Sequence, residues 1–237
     1  MSIANKLQTI AENEQKVYKK GYENGYATGN IDGFNSAPPN YLPCVTTLKI
    51  ADLNLLGKKE VVLNIPLVKN YANMLQQSVI NEMVEHITIN GSKDGEIRDM
   101  AYLCSSSGDK TLKHITLNCD FSKATKMGRA FYLLQALEII DGTPLDFSSI
   151  QASSYISNIF YCCAALKDFR VVPLSLNVDI SINYSSELSS ETIQSLIDGL
   201  ADLTGGTAQT VSWHSTVLSK LTESQIAQIL GKNWIFN

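Results

Sequence analysis

The sequence predicts a mixed α/β chain built as a solenoid of short stacked units, and three observations predict it. The first is a strand template with apolar residues at its first, fourth and sixth places: Val84, Ile87 and Ile89; Leu112, Ile115 and Leu117; Leu166, Phe169 and Val171; and Leu137 and Ile140, with the sixth place taken by Gly142. The second is an aromatic or Met-containing block ahead of each strand, beginning at Asn73, Ala101, Phe131 and Phe160, in steps of 28, 30 and 29 residues. The third is the restart of Asp120-Phe-Ser as Asp146-Phe-Ser, and of Phe131-Tyr-Leu-Leu as Phe160-Tyr-Cys-Cys. A fixed period of about 20 to 50 residues marks repeat architectures, because so short a unit cannot bury its apolar face without a neighbour. Alternation along each strand sends the template residues inward and those between them outward.

Taken in order, residues 2–20 read as a helix that Ser2 can cap, with Ile3, Leu7, Ile10 and Val17 on a narrow apolar seam interrupted by Glu14. Such a seam suggests a short coiled coil. Gly21, Gly25, Gly29 and Gly33 follow at four-residue spacing with Tyr22 and Tyr26 beside the first two; they form either a close-packing helix face or a hinge. Pro38-Pro39 ends the segment. Strands at 45–50 and 60–65 around Gly57 resemble a cap over the first unit. Past the repeats, 177–182 reads as a strand, and Ser190 can cap a helix carrying Ile193, Leu196, Ile197, Leu200 and Leu203 up to Gly205-Gly206. A strand at 208–213 comes next. Thr222-Glu-Ser-Gln225 has capping-box spacing for a helix ending at Gly231, and 233–236 reads as a last strand. The expected organisation is a helical attachment segment (1–36), a linker with cap strands (37–68), the repeat domain (69–183) and a C-terminal capping repeat (184–237).

The L-x-x-L-x-L spacing is that of leucine-rich repeats, and Asn90 and Asn118 follow two of the strands where such repeats often place an Asn. In more detail, the run from Asp120 through Phe169 resembles the BspA-type leucine-rich repeat over roughly 45–183, although Gly is absent before Cys163 and Leu134 stands where that repeat has Cys. The opening "MSIANKLQTIAENEQKVYKKGYENGYATG" resembles the N-terminal module of many proteins encoded in prophages of Gram-positive bacteria, and residues 188–237 resemble the closing unit of such repeat proteins. The resemblance implies an attachment segment carrying interchangeable heads. It therefore implies a non-enzymatic virion part of tail, baseplate or fibre, assembled in the bacterial host cytoplasm. Its implied partners are other virion proteins through the N-terminal helix and a host-surface protein or glycan through the repeats; a homo-oligomer is expected, with a trimer as the usual fibre symmetry. The alternative is a bacterial cell-surface adhesin with the same repeats.

Composition narrows the chemistry. The 237 residues carry a net charge of −4, which argues against a nucleic-acid surface. No run of about 18 apolar residues predicts a membrane span, and no apolar leader opens the chain, so folding in a cytosol is expected. Five cysteines, two of them adjacent at 162 and 163, fit neither a disulfide framework nor a zinc motif; Cys104 and Cys163 are expected in one repeat slot as buried thiols.

No nucleophile, zinc-protease or phosphate-loop motif occurs, so no catalytic, cofactor-binding or metal residue is assigned. His86 and His114 occupy one place in consecutive units and should stack outward about 5 Å apart. Such a pair could ligate a metal or titrate near neutral pH, but without a third ligand in register it reads as a solvated ladder. His214 stands alone. Asp120 and Asp146 read as turn formers. The outward strip of His86, Thr88, His114, Thr116, Glu138, Lys167, Asp168 and Arg170 is a surface suited to a protein or glycan. A glycan hydrolase would need two carboxylates converging in a cleft, and only stray ones are seen.

Overall fold

The structure, a computed structural model, describes residues 59–66, 68–75, 84–105 and 111–237. The expected helix at 2–20, the glycine-spaced segment, the strand at 45–50 and Cys44 lie outside them. The described residues hold parallel strands in two sheets and a few short helices, a mixed α/β arrangement. The first sheet has β1 (Glu60–Asn64), β2 (His86–Asn90), β3 (His114–Asn118) and β4 (Ile139–Gly142) in sequence order. The second has β5 (Ile180–Ile182), β6 (Gln209–Trp213) and β7 (Trp234–Phe236), also in order and parallel.

Register follows from the template. Val84, Ile87, Ile89, Leu112, Ile115, Leu117, Leu137 and Ile140 are all buried, and each strand lies on the equivalent residues of the next: Ile87 opposite Ile115, Ile115 opposite Ile140. A one-residue slip would turn every one of these side chains to solvent, so burial pins the pairing. The segment 60–65, expected as a cap strand, pairs with β2 in the same register that joins β2 to β3.

The blocks between strands form a second backbone ladder made of turns. Tyr71, Asn73 and Leu75 donate to Asp99, Ala101 and Leu103; Met100, Tyr102 and Cys104 donate to Lys126, Gly128 and Ala130; Met127, Arg129 and Phe131 donate to Tyr155, Ser157 and Ile159. One residue per unit adopts a left-handed conformation at the same ladder slot, Asn73, Tyr102, Arg129 and Asn158, with φ of 59, 59, 56 and 57°. Repetition of a strained conformation at one slot identifies it as a property of the unit. Asp120 and Asp146 accept from the amides of Ser122 and Ser148 at 2.9 Å, the turn-forming role expected of them, and Asn70 and Asp99 act alike on Ala72 and Ala101.

This ladder corrects the cysteine alignment. Cys104 stands opposite Phe131, and Phe131 opposite Phe160, so Cys104 and Cys163 do not share a slot. Units of unequal length shifted an alignment made on composition. Cys104, Cys119 and Cys163 are buried all the same. Burial pushes the Cys119 thiol up to about 11 and that of Cys163 up to about 12, so both are inert neutral groups near pH 7.

The strand expected at 166–171 is reduced to isolated bridges, Ile139 with Asp168 and Leu145 with Val171, although Leu166, Phe169 and Val171 are buried as the template requires. Six residue steps on one side (139 to 145) face three on the other (168 to 171), so three extra residues bulge out and break the ladder. On its other side this unit meets α1 (Ser190–Gly199): Thr192 Oγ1 accepts from the Phe169 amide at 3.2 Å and Ser195 Oγ from the Val171 amide at 3.0 Å, satisfying amides that a strand would otherwise pair.

Two boundaries and one added helix differ from expectation. Ser189, not Ser190, caps α1 by accepting from the Thr192 amide. The helix stops at Gly199 and not at Gly205-Gly206, because Leu200 turns extended to bridge Leu176 while Gly199 packs where a Cβ would come within 2.5 Å of Val171. An unexpected turn of helix, α2 (Ser215–Leu218), is capped by the Nδ1 of His214, which accepts from Thr216 N at 3.2 Å and so has a structural role.

α3 (Glu223–Gly231) begins with the expected capping box, Thr222 and Gln225 each accepting the other's backbone amide. Thr222→Ala is expected to cost about 1 kcal/mol, a fall in midpoint of roughly 2–4 °C in a thermal melt.

Candidate functional site

Every outward position of the strip is placed along the first sheet and its continuation. His86, Thr88, His114, Thr116 and Glu138 are half-buried, whereas Lys167, Asp168 and Arg170 are exposed. Parallel in-register pairing stacks equivalent positions on one another, producing three side-chain ladders.

At the strand entrances the charges alternate: Lys59, Glu85, Lys113, Glu138, Lys167. Glu85 takes Lys59 at 3.0 Å and Lys113 at 3.2 Å, and Glu138 takes Lys167 at 2.8 Å. These hydrogen bonds hold the Glu85 and Glu138 carboxyls below the ordinary range. Exposed pairs of this kind set register more than they add stability. One residue on, His86 and His114 stack with ring centroids 4.2 Å apart and planes within 6°. At the exits Asn118 donates to Asn90 and Asn90 to Asn64, both at 2.8 Å.

The third partner that the histidine pair lacked in the sequence is Asp141. His114 Nε2 lies 2.8 Å from its Oδ2, while His86 Nε2 meets Thr116 Oγ1 at 3.0 Å. Asp141 faces Thr116 across β3 and β4, a slot visible only once register is known. Burial opposes its ionisation, but hydrogen bonds from Thr116 and His114 outweigh that and hold its carboxyl below the ordinary aspartate range. A lowered folded-state pKa stabilises the fold above the unfolded value and ceases to as pH falls through the folded one. Asp141→Asn should therefore melt below the parent at pH 7, with the gap closing toward pH 3; a gap constant with pH would refute this. Among the described residues no group of three or more His, Cys, Asp or Glu side chains is arranged to hold a metal ion.

Where the bulge breaks the first ladder, a groove of about 310 Å³ opens on the outward face. Gly142, with φ of +87°, makes the bulge possible: a Cβ there would lie 2.4 Å from the Leu117 carbonyl oxygen. Asp141, Thr143, Asp168, Arg170, Glu191 and Thr192 supply its polar lining. The sequence flagged Gly142 only as a lost apolar slot; Thr143, Glu191 and Thr192 carried no signal of shared location.

Comparison of the chain with protein-family models, with curated proteins and with solved structures finds no significant match.

A second exposed row lies on the turn side. Tyr132 stacks on Tyr161 at 5.0 Å, Tyr161 meets Tyr184 at 4.3 Å, and the Arg129 guanidinium sits 5.4 and 5.6 Å from the ring centroids of Tyr102 and Tyr132. These rings spend their faces on each other, so the row consolidates the stack and offers a ligand mostly edges and hydroxyls.

Proposed function

We propose that the chain is a non-enzymatic structural protein of a phage or prophage virion, in tail, baseplate or fibre, whose leucine-rich-repeat solenoid binds a host-surface protein or glycan. The observation that carries the binding part is the continuous polar face of in-register parallel strands, interrupted by one groove. Repeat stacks present such faces for recognition because each unit adds its outward side chains to a row. Four parallel strands in sequence order, buried template residues and a left-handed residue recurring at one turn slot, Asn73, Tyr102, Arg129 and Asn158, support the solenoid reading. Support for the virion comes from the sequence alone, through the prophage-type opening at 1–36 and closing unit at 188–237, with residues 1–36 taken as the attachment and trimer-forming segment.

Support for the non-enzymatic reading comes from the sequence, in which no nucleophile, zinc-protease or phosphate-loop motif occurs. Hydrogen bonds with His114 and Ser189 hold the Asp141 and Asp168 carboxylates in place. The rival reading, a bacterial surface adhesin, places the protein on cells and not on particles. Density-gradient purification of particles induced from a strain encoding the chain separates the two. The protein should sediment with the particles; recovery in the cell-wall fraction alone would favour the adhesin.

A further inference from the structure

We infer that the groove at the bulge is a saccharide site that accepts uncharged or ammonium-bearing sugars and rejects acidic ones. This deepens the proposed binding role and rests on that reading for its biological meaning, though not for its test.

The ladder is broken beside the groove. In an unbroken parallel pairing the Arg170 amide would donate to the Ile140 carbonyl, continuing the bonds from Asp168 N to Glu138 O and from Ile140 N to Asp168 O. Pairing resumes only at Leu145, which donates to Arg170 O at 2.8 Å. Among the described residues no hydrogen bond joins the Ile140 carbonyl to the Arg170 amide. The groove thus has a backbone donor and a backbone acceptor on opposite walls, the pattern a hydroxyl group satisfies by accepting from one and donating to the other.

The side chains add acceptors and donors. Asp168 Oδ1 takes Ser189 Oγ at 2.5 Å and Thr192 Oγ1 at 3.5 Å, which fixes the carboxylate and leaves Oδ2 for a ligand. Asp141 is held by His114, and Glu191 stands exposed in the first turn of α1. Two anchored carboxylates are preorganised acceptors for sugar hydroxyls. Arg170 has no ion-pair partner among the described residues and provides a fork of donors. Three carboxylates against one guanidinium favour a neutral or cationic ligand and repel an acidic one.

The groove is also small. A volume of about 310 Å³ is at the small end of ligand pockets and suits one or two sugar rings, not a protein surface.

The test is ligand-observed saturation-transfer NMR on the full chain with methyl glucoside, chitotriose, glucosamine and glucuronate. At least one of the first three should give transfer, and glucuronate none. Arg170→Ala and Glu191→Gln, both at exposed positions, should each weaken binding about tenfold while leaving the melt of the protein unchanged. Absence of transfer from all four sugars, transfer undiminished in both variants, or glucuronate binding as well as the neutral sugars would each overturn the inference. The particle-sedimentation experiment uses no saccharide, so loss of the virion reading and loss of the sugar site are separately visible.

Discussion

Phe131→Ala is expected to destabilise the protein by about 3–5 kcal/mol, among the largest losses of any single core substitution here. Phe131 is fully buried, its ring stacked 5.7 Å from Phe160, which in turn meets Phe169 at 4.7 Å. Its carbonyl accepts the Cys163 thiol at 2.8 Å, and its amide holds the turn ladder. Removing the ring opens a cavity between two consecutive units, where neither can collapse without breaking backbone bonds to the other. Chemical denaturation should register the loss as a lower midpoint with unchanged slope. Phe131→Leu, which keeps most of the volume, should recover more than half of it. A loss under about 1 kcal/mol for the alanine variant would mean that the stack is not the principal core.

Gly142→Ala is expected to cost about 2–4 kcal/mol, unusually much for adding one methyl at an exposed position. The substitution meets two obstacles: a φ of +87° that L residues rarely adopt, and a Cβ 2.4 Å from a backbone oxygen that cannot swing aside. Gly91→Ala provides the contrast. There the nearest atoms are side-chain ones, Tyr71 Oη at 1.8 Å and Cys119 Sγ at 2.6 Å. Adding Tyr71→Phe should therefore recover part of the loss at Gly91, whereas no side-chain change relieves Gly142. A double-mutant cycle measures that difference. Gly142→Ala should also abolish saccharide binding, since the bulge it supports forms the groove wall.

The burial pattern was legible because it needs only alternation: each template residue from Val84 to Val171 is buried, and Asn90 and Asn118 close their strands as the spacing implied. The capping box at Thr222 was legible for a similar reason, being wholly local. What was illegible depends on register between units. Cys104 was matched to Cys163 by composition, whereas hydrogen bonding sets it against Phe131. Asp141 could not be tied to His114 until β3 and β4 were aligned, and the groove arises from three inserted residues that look, in sequence, like an ordinary Gly-Thr-Pro turn. Helix α1 was misplaced at its end because Gly205-Gly206 is the stronger local stop signal. Tertiary packing of Gly199 against Val171 ended the helix first.

A repeat domain carried as the head of a virion part, as proposed, requires assembly through residues 1–36. The mass in solution of the full chain, measured by light scattering beside that of a chain beginning at Asn40, tests it most directly. A trimer is expected for the full chain and a folded monomer for the shortened one. An unchanged oligomer after truncation, or monomers in both, would contradict it.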